Sequence, residues 1–157
     1  YIPKENGKQR PLGIPALEDK IVQKAAAMIL EAIYEPVFHD SSYGYRPGRG
    51  SRDAVSDLTT KLHFGRFGYV VEADIKGFFD NINHERLIEM LSERINDKAF
   101  LGLINKWLKA GILEPEGHVI HPETGTPQGG IISPILANLY LHVVLDEWFE
   151  NVVKPRL

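Results

Sequence analysis

Apolar side chains recur along this chain with different periods, and the breaks between the runs divide it into elements. From Leu17, positions Ile21, Val22, Ala25, Met28, Ile29, Ala32 and Ile33 follow helical spacing, which lays a stripe along one helix face. Glu18 and Asp19 stand in the first turn, where the helix dipole favours acids, and Pro36 ends the run after Glu35. Ahead of this helix, Tyr1-Ile2-Pro3-Lys4 and Gln9-Arg10-Pro11-Leu12-Gly13-Ile14 read as two short strands around Asn6-Gly7, a strong hairpin signal. Pro3 and Pro11 make both strands edges.

Further along, residues 41–50 hold three glycines and a proline and read as a loop, after which Ser51 is expected to cap a helix from Arg52 to about Leu62. Tyr69 to Ile75 reads as a strand, and Asn83 as the cap of a helix to about Ser92. Asp97 to Ala110 is helical and stops at Gly111; residues 112–121 form a hairpin turning at Glu116-Gly117; Ser133-Pro134 starts a long helix to about Phe149. This pattern predicts an α/β fold of the α+β type, with mixed, mostly antiparallel strands and packed helices. The boundary between its two halves falls near residues 64–68.

Composition narrows the chemistry. The chain has 157 residues, 43% hydrophobic and 25% charged, enough for one or two small cores. It has no apolar run of about 18 residues and no charged-then-apolar leader, so a cytoplasmic protein without membrane contact is expected. Zero cysteines exclude disulfides, zinc ribbons and thiol catalysis, and leave oxygen or imidazole as metal ligands. The net charge of −3 hides an asymmetry: residues 1–66 carry ten Lys and Arg against eight acids, residues 67–157 eight against thirteen. A basic half that holds phosphates and an acidic half that holds cations would give this distribution; so would solvated faces.

Several residues stand where chemistry is possible. Asp74 ends the predicted strand before a tight turn, a position that suits either a metal-binding carboxylate or a turn former, and Asp80 reads as a local cap. Lys4 and Arg10 bracket the first hairpin, either to close over a triphosphate or simply as solvated charges. Tyr43, Tyr45, Arg46 and Arg49 interleave aromatics and arginines in a glycine loop, which suits stacking on bases along a phosphate backbone or packing on tyrosines. Gly125-Thr126-Pro127-Gln128-Gly129-Gly130 lets backbone approach a ligand, with Gln128 reading an edge or a sugar. His118, His121 and Glu123 share a hairpin without a fourth ligand, while His39, His63, His84 and His142 are assigned surface or helix-end roles.

Four runs carry a resemblance: Lys4-x5-Arg10-Pro11-Leu12-Gly13-Ile14-Pro15, Ser42-Tyr43-Gly44-Tyr45-Arg46-Pro47, Ala73-Asp74-Ile75-Lys76-Gly77-Phe78-Phe79-Asp80-Asn81-Ile82, and Gly125 through Asn138. In this order they resemble the reverse transcriptases (maturases) encoded by bacterial group II introns, over nearly the whole chain. The resemblance implies a right-hand polymerase with fingers at 1–66 and part of the palm at 67–157. Asp74 would be the first metal-binding and catalytic aspartate, helped by the Ile75 carbonyl, with Mg2+ as cofactor. Lys4, Arg10, Phe79 and Gln128 would meet the incoming nucleotide, Phe79 under its sugar; Tyr45, Arg46 and Arg49 would lie on the template path. Implied partners are an intron RNA template, a DNA or RNA primer and deoxynucleoside triphosphates, and the parent would also assist splicing of its intron.

No Asp-Asp pair occurs anywhere in the sequence. The family's Tyr-Ala-Asp-Asp motif should follow the Ser133 helix, so the chain is expected to be a piece cut before that motif and the thumb, inactive alone and prone to self-association through an exposed palm edge. Two alternatives are a reverse transcriptase of the retron or diversity-generating class and an RNA-binding splicing factor without polymerisation. The Arg10–Pro15 and Gly44–Pro47 runs weigh against the first, and Asp74 with Phe79 against the second.

Overall fold

The computed structural model describes residues 2–3, 9–10, 13–65, 67–113, 117–126 and 129–156, the first four for their backbone alone. Strands β1 (Ile2–Pro3) and β2 (Gln9–Arg10) pair antiparallel, Ile2 opposite Arg10, so the two predicted strands meet; the predicted Asn6-Gly7 turn lies outside the described residues. A second antiparallel hairpin joins β3 (Ile112–Leu113) to β4 (Val119–Ile120). Helices make up most of the rest: α1 (Leu17–Tyr34), α2 (Ser51–Phe64), α3 (His84–Ser92), α4 (Lys98–Leu108) and α5 (Ser133–Leu141). Beyond α5 the helix continues through wider i→i+5 turns at His142–Asp146 and Phe149–Val153.

Caps explain the helix starts. The Asn83 side chain accepts from Arg86 N–H at 2.9 Å, and Asp97 Oδ1 accepts from the amides of Ala99 and Phe100 at 2.9 and 3.0 Å. At α2 the expected Ser51 cap gives way to its neighbour: Gly50 precedes the helix and its N–H donates to Asp53 Oδ2 at 2.8 Å, which draws Ser51 into the first turn.

The core is built around α5, whose Ile135, Leu136, Ala137 and Leu139 are buried on several sides against α1 and α3, with α4 packed behind α3. Leu30, Ile82, Leu87, Leu91, Ile104 and Leu108 complete it. On α1 the buried face runs through Gln23, Ala26, Ala27, Leu30 and Tyr34, while Ile21, Val22, Met28 and Ile29 of the predicted stripe are exposed. Both faces are apolar, so periodicity alone does not choose between them. The alanine face admits close approach of α5.

One further expectation is corrected. Residues 69–75 form neither strand nor helix and are unpaired, with Tyr69 and Val71 each at least 90% exposed; a strand needs a neighbour for its backbone groups, and none lies beside this run among the described residues. Helix α2 buries no residue and leaves Val55, Leu58 and Leu62 in solvent. The described architecture is therefore a helical core with two short hairpins, poorer in strand than the sequence pattern suggests.

Because α5 is the element the others pack on, Leu136→Ala is expected to destabilise the protein by about 2–5 kcal/mol. Val55→Ala on α2 should stay within about 0.5 kcal/mol. Urea denaturation of both variants checks this, and equal losses would contradict the core assignment.

Candidate functional site

The unpaired segment ends at Ile75 and enters a turn over residues 76–80. Gly77 adopts φ +64°, conformational space that glycine enters without steric cost, and its carbonyl accepts from Asp80 N–H at 3.1 Å and Asn81 Nδ2 at 2.7 Å. This turn leaves Asp74 exposed at its mouth, with no hydrogen bond or ion pair among the described residues. It also swings Phe79 inward, where the ring is half-buried, edge-on to Phe78 at 5.7 Å and to Tyr45 at 6.1 Å.

The glycine loop before α5 is docked on the same turn by its backbone. Gly125 N–H donates to the Ile82 carbonyl at 2.7 Å, Thr126 N–H to the Phe79 carbonyl at 2.8 Å, and Thr124 Oγ1 to the Asp80 carbonyl at 3.0 Å. Gly125 has φ +88°, and a Cβ there would lie 2.7 Å from the Phe79 carbonyl oxygen, so no larger residue fits the approach. From below, the buried His84 holds the Gly125 carbonyl with Nε2 at 2.6 Å. At the far end of the loop, buried Gln23 of α1 accepts the Ile131 N–H at 2.9 Å.

The third wall is the segment after α1. Arg46 is buried: its Nε and Nη2 donate to the Glu35 carboxylate at 2.8–3.2 Å, and Nη1 donates to the carbonyls of His39 and Ser42 at 2.7 and 2.8 Å. With its guanidinium turned inward, Arg46 is a strut that shapes the loop, and the expected template contact is corrected for this residue. The bend it enforces holds Tyr45 at φ +52°, more than half exposed and over Phe79. Arg49 pairs with Asp40 at 2.7 Å and lies over the Tyr43 ring at 5.8 Å, still partly exposed. Asp57 of α2, hydrogen-bonded to Tyr43, raises the pKa of the Tyr43 hydroxyl, and its own pKa is lowered by Lys61 and Tyr43.

The structure thus brings Tyr45, Phe79 and the Gly125 loop together, with Asp74 and Ile75 one turn away. Lys4 and Gln128 lie outside the described residues, and of Arg10 only its strand position is described. Reasoning from residue type missed Gln23 and assigned His84 and His142 to surface or helix-end roles; both imidazoles are buried. His84 directly follows the Asn83 cap, but nothing local in sequence points to Gly125, 41 residues on. His118, His121 and Glu123 are exposed and gather no metal-ligating group among the described residues. For a hard divalent cation the free Asp74 carboxylate and the neighbouring Ile75 carbonyl fit by donor type, since both offer oxygen.

A family model described as reverse transcriptase (RNA-dependent DNA polymerase) matches residues 2–154. The chain is 52% identical over 144 residues to the group II intron-encoded protein LtrA of Lactococcus lactis subsp. cremoris, covering 90% of this chain and 23% of that protein. It is 47% identical over 151 residues to an uncharacterized 91 kDa protein in the cob intron of Schizosaccharomyces pombe, covering 96% of this chain and 18% of that protein. A solved structure of a partial Cas6-RT-Cas1--Cas2 complex superposes with TM-score 0.51 at 29% identity, over 96% of this chain and 28% of that one. The chain therefore spans less than a quarter of the length of these two curated relatives.

The docking of Gly125 generates a contrast between two glycines. Gly125→Ala, with its positive φ and obstructed Cβ, is expected to lower stability by more than 1 kcal/mol and to speed proteolysis in the loop. Gly102→Ala in α4, whose Cβ would meet nothing within 4 Å, should raise stability by about 0.5–1 kcal/mol. Denaturation and limited proteolysis of the two variants read out the difference.

Proposed function

This chain belongs to the reverse transcriptase (RNA-dependent DNA polymerase) family, and from that premise we propose that it forms the fingers, residues 1–66, and part of the palm, residues 67–157, of a group II intron reverse transcriptase. The whole protein copies intron RNA into DNA by adding deoxynucleotides to a primer, and assists the splicing of its intron. The observation that carries this reading is the meeting of three separated motifs at one place: Tyr45 on Phe79, and the Gly125 loop hydrogen-bonded to the Phe79 turn. The identity to a group II intron-encoded protein over 90% of the chain supports the intron assignment.

In this reading each residue acts through a property already described. Asp74 and the Ile75 carbonyl would hold a magnesium ion, which would favour deprotonation of the attacking hydroxyl and neutralise charge on the transferring phosphate. Lys4 and Arg10 grip the triphosphate, Lys4 as a point charge and Arg10 as a bidentate fork. Gln128 follows the docked Gly125-Thr126 and lines the nucleotide. Tyr45 and Arg49 offer a ring and a guanidinium to the template, while Arg46 fixes their loop from inside. The apolar run 69–71, unpaired among the described residues, is open to an edge partner, so the 157 residues by themselves self-associate through it.

Phe79 presents its ring beneath the sugar, so a ribonucleotide would press its 2′-hydroxyl on the ring and lose water without gaining a partner, at a cost of about 1–3 kcal/mol before any clash. In the full-length protein Phe79→Ala is expected to raise ribonucleotide incorporation relative to deoxynucleotide incorporation by about tenfold or more. Competing the two substrates on one RNA template measures the ratio. An unchanged ratio at lower total activity would make Phe79 a packing residue only.

The 157 residues contain no adjacent aspartates, so one carboxylate residue faces a reaction that uses a two-metal clamp. Assayed alone with magnesium, this chain is expected to incorporate no nucleotide on any primer-template. Metal-dependent extension by it would overturn the reading that these 157 residues carry only part of the two-metal site.

A further inference from the structure

Away from that site, His39 of the segment after α1 meets His142 and Glu147 at the end of α5, and nothing in the proposed polymerase chemistry uses them. His39 Nε2 lies 3.1 Å from Glu147 Oε1, His142 Nε2 lies 3.4 Å from the same oxygen, and one ligand atom from each residue falls within 4.8 Å of the others. We propose that His39, His142 and Glu147 form a zinc-binding site that staples the segment after α1 to the end of α5.

Geometry is the first support. Zinc bound tetrahedrally at about 2.0–2.2 Å from nitrogen and oxygen sets neighbouring ligand atoms roughly 3.3 Å apart. The two separations to Glu147 Oε1 bracket that value. Two imidazoles and one carboxylate are a donor set suited to zinc and poorly suited to magnesium, which takes oxygen. His39 and Glu147 side chains are about a third exposed, which leaves an open side for a water as fourth ligand.

The surroundings are the second support. Glu147 N–H donates to the His142 carbonyl, closing a widened i→i+5 turn that brings both Asp146 and Glu147 beside the His142 ring; such turns occur disproportionately at functional sites. His142 is buried, and its Nδ1 makes no hydrogen bond among the described residues, with Asp146 Oδ2 waiting at 3.5 Å. Coordination through Nε2 places the ring proton on Nδ1, where Asp146 accepts it, the carboxylate–histidine–metal arrangement that orients a ligand imidazole. The other ligands are held too: Asn151 Nδ2 donates to Glu147 Oε2 at 2.7 Å, and the His39 carbonyl accepts from Arg46 Nη1. Occupancy at His39 therefore bears directly on the loop that carries Tyr45.

The test titrates zinc, against a competing chelator and in excess magnesium, into the full-length protein and its variants. His39→Ala and Glu147→Gln should each bind one equivalent fewer than the wild type, whatever other sites the protein holds. Asp146→Asn should keep the equivalent but weaken it about tenfold to a hundredfold, and His118→Ala should change nothing. Zinc should also raise the melting temperature of the wild type and not that of His39→Ala. Because His39 is partly exposed, its loss should leave the protein folded, which the melting curve without zinc verifies. Equal zinc stoichiometry and affinity in the wild type, His39→Ala and Glu147→Gln would overturn the proposal.

Discussion

The backbone contact between the Gly125 loop and the turn after Asp74 is the constraint on which the site depends. Two amides and one hydroxyl of residues 124–126 donate to three carbonyls of residues 79–82. The Phe79 and Asp80 carbonyls lie too close to Gly125 for any side chain at that position. The contact satisfies polar groups on both segments and fixes the turn that carries Phe79 and directly follows Asp74 and Ile75. His84 extends it into the core, since the helix that begins at this histidine also buries Leu87 and Leu91. Stability of the helical core and placement of the site are thus one problem.

Charge is treated in the same economical way around residues 35–50. Arg46 surrenders its guanidinium to Glu35 and two carbonyls and gains no freedom to meet a ligand. What it produces is a bend that carries Tyr45 outward at positive φ, a conformation an ordinary side chain adopts only when its neighbours insist. Arg49, three residues on, stays partly exposed beside Tyr43. One arginine therefore organises the surface that the next presents. The His39 carbonyl is bound by the same Arg46, which links this loop to the histidine pair at the end of α5.

Periodicity and caps located the helices well. Asn83 caps as expected, and Asp97, read from the sequence as the first helical residue, caps the helix that starts at Lys98; a cap is a local bond between a side chain and amides two or three residues away. The two short strands predicted on either side of Asn6-Gly7 also pair, since they lie close in sequence, while the turn itself falls outside the described residues. Tyr69–Ile75 did not become a strand, because pairing needs a partner that local sequence cannot provide. On α1 the apolar spacing predicted the helix correctly, but that helix is apolar on two faces, and which of them is buried lay with the small residues that α5 packs on.

Site residues divide along the same line. The order and spacing of the motifs around Asp74, Phe79 and Gly125 were enough to name the family, since they are properties of the chain itself. That Arg46 faces inward, that His84 grips a carbonyl 41 residues away, and that His39 meets His142 and Glu147 were decided only in three dimensions. A side chain's partners across the fold depend on where the backbone between them turns. Sequence thus determined which chemical groups this protein carries and the local elements that display them, and tertiary packing decided which groups meet, because burial and hydrogen bonding are settled between segments that the sequence keeps apart.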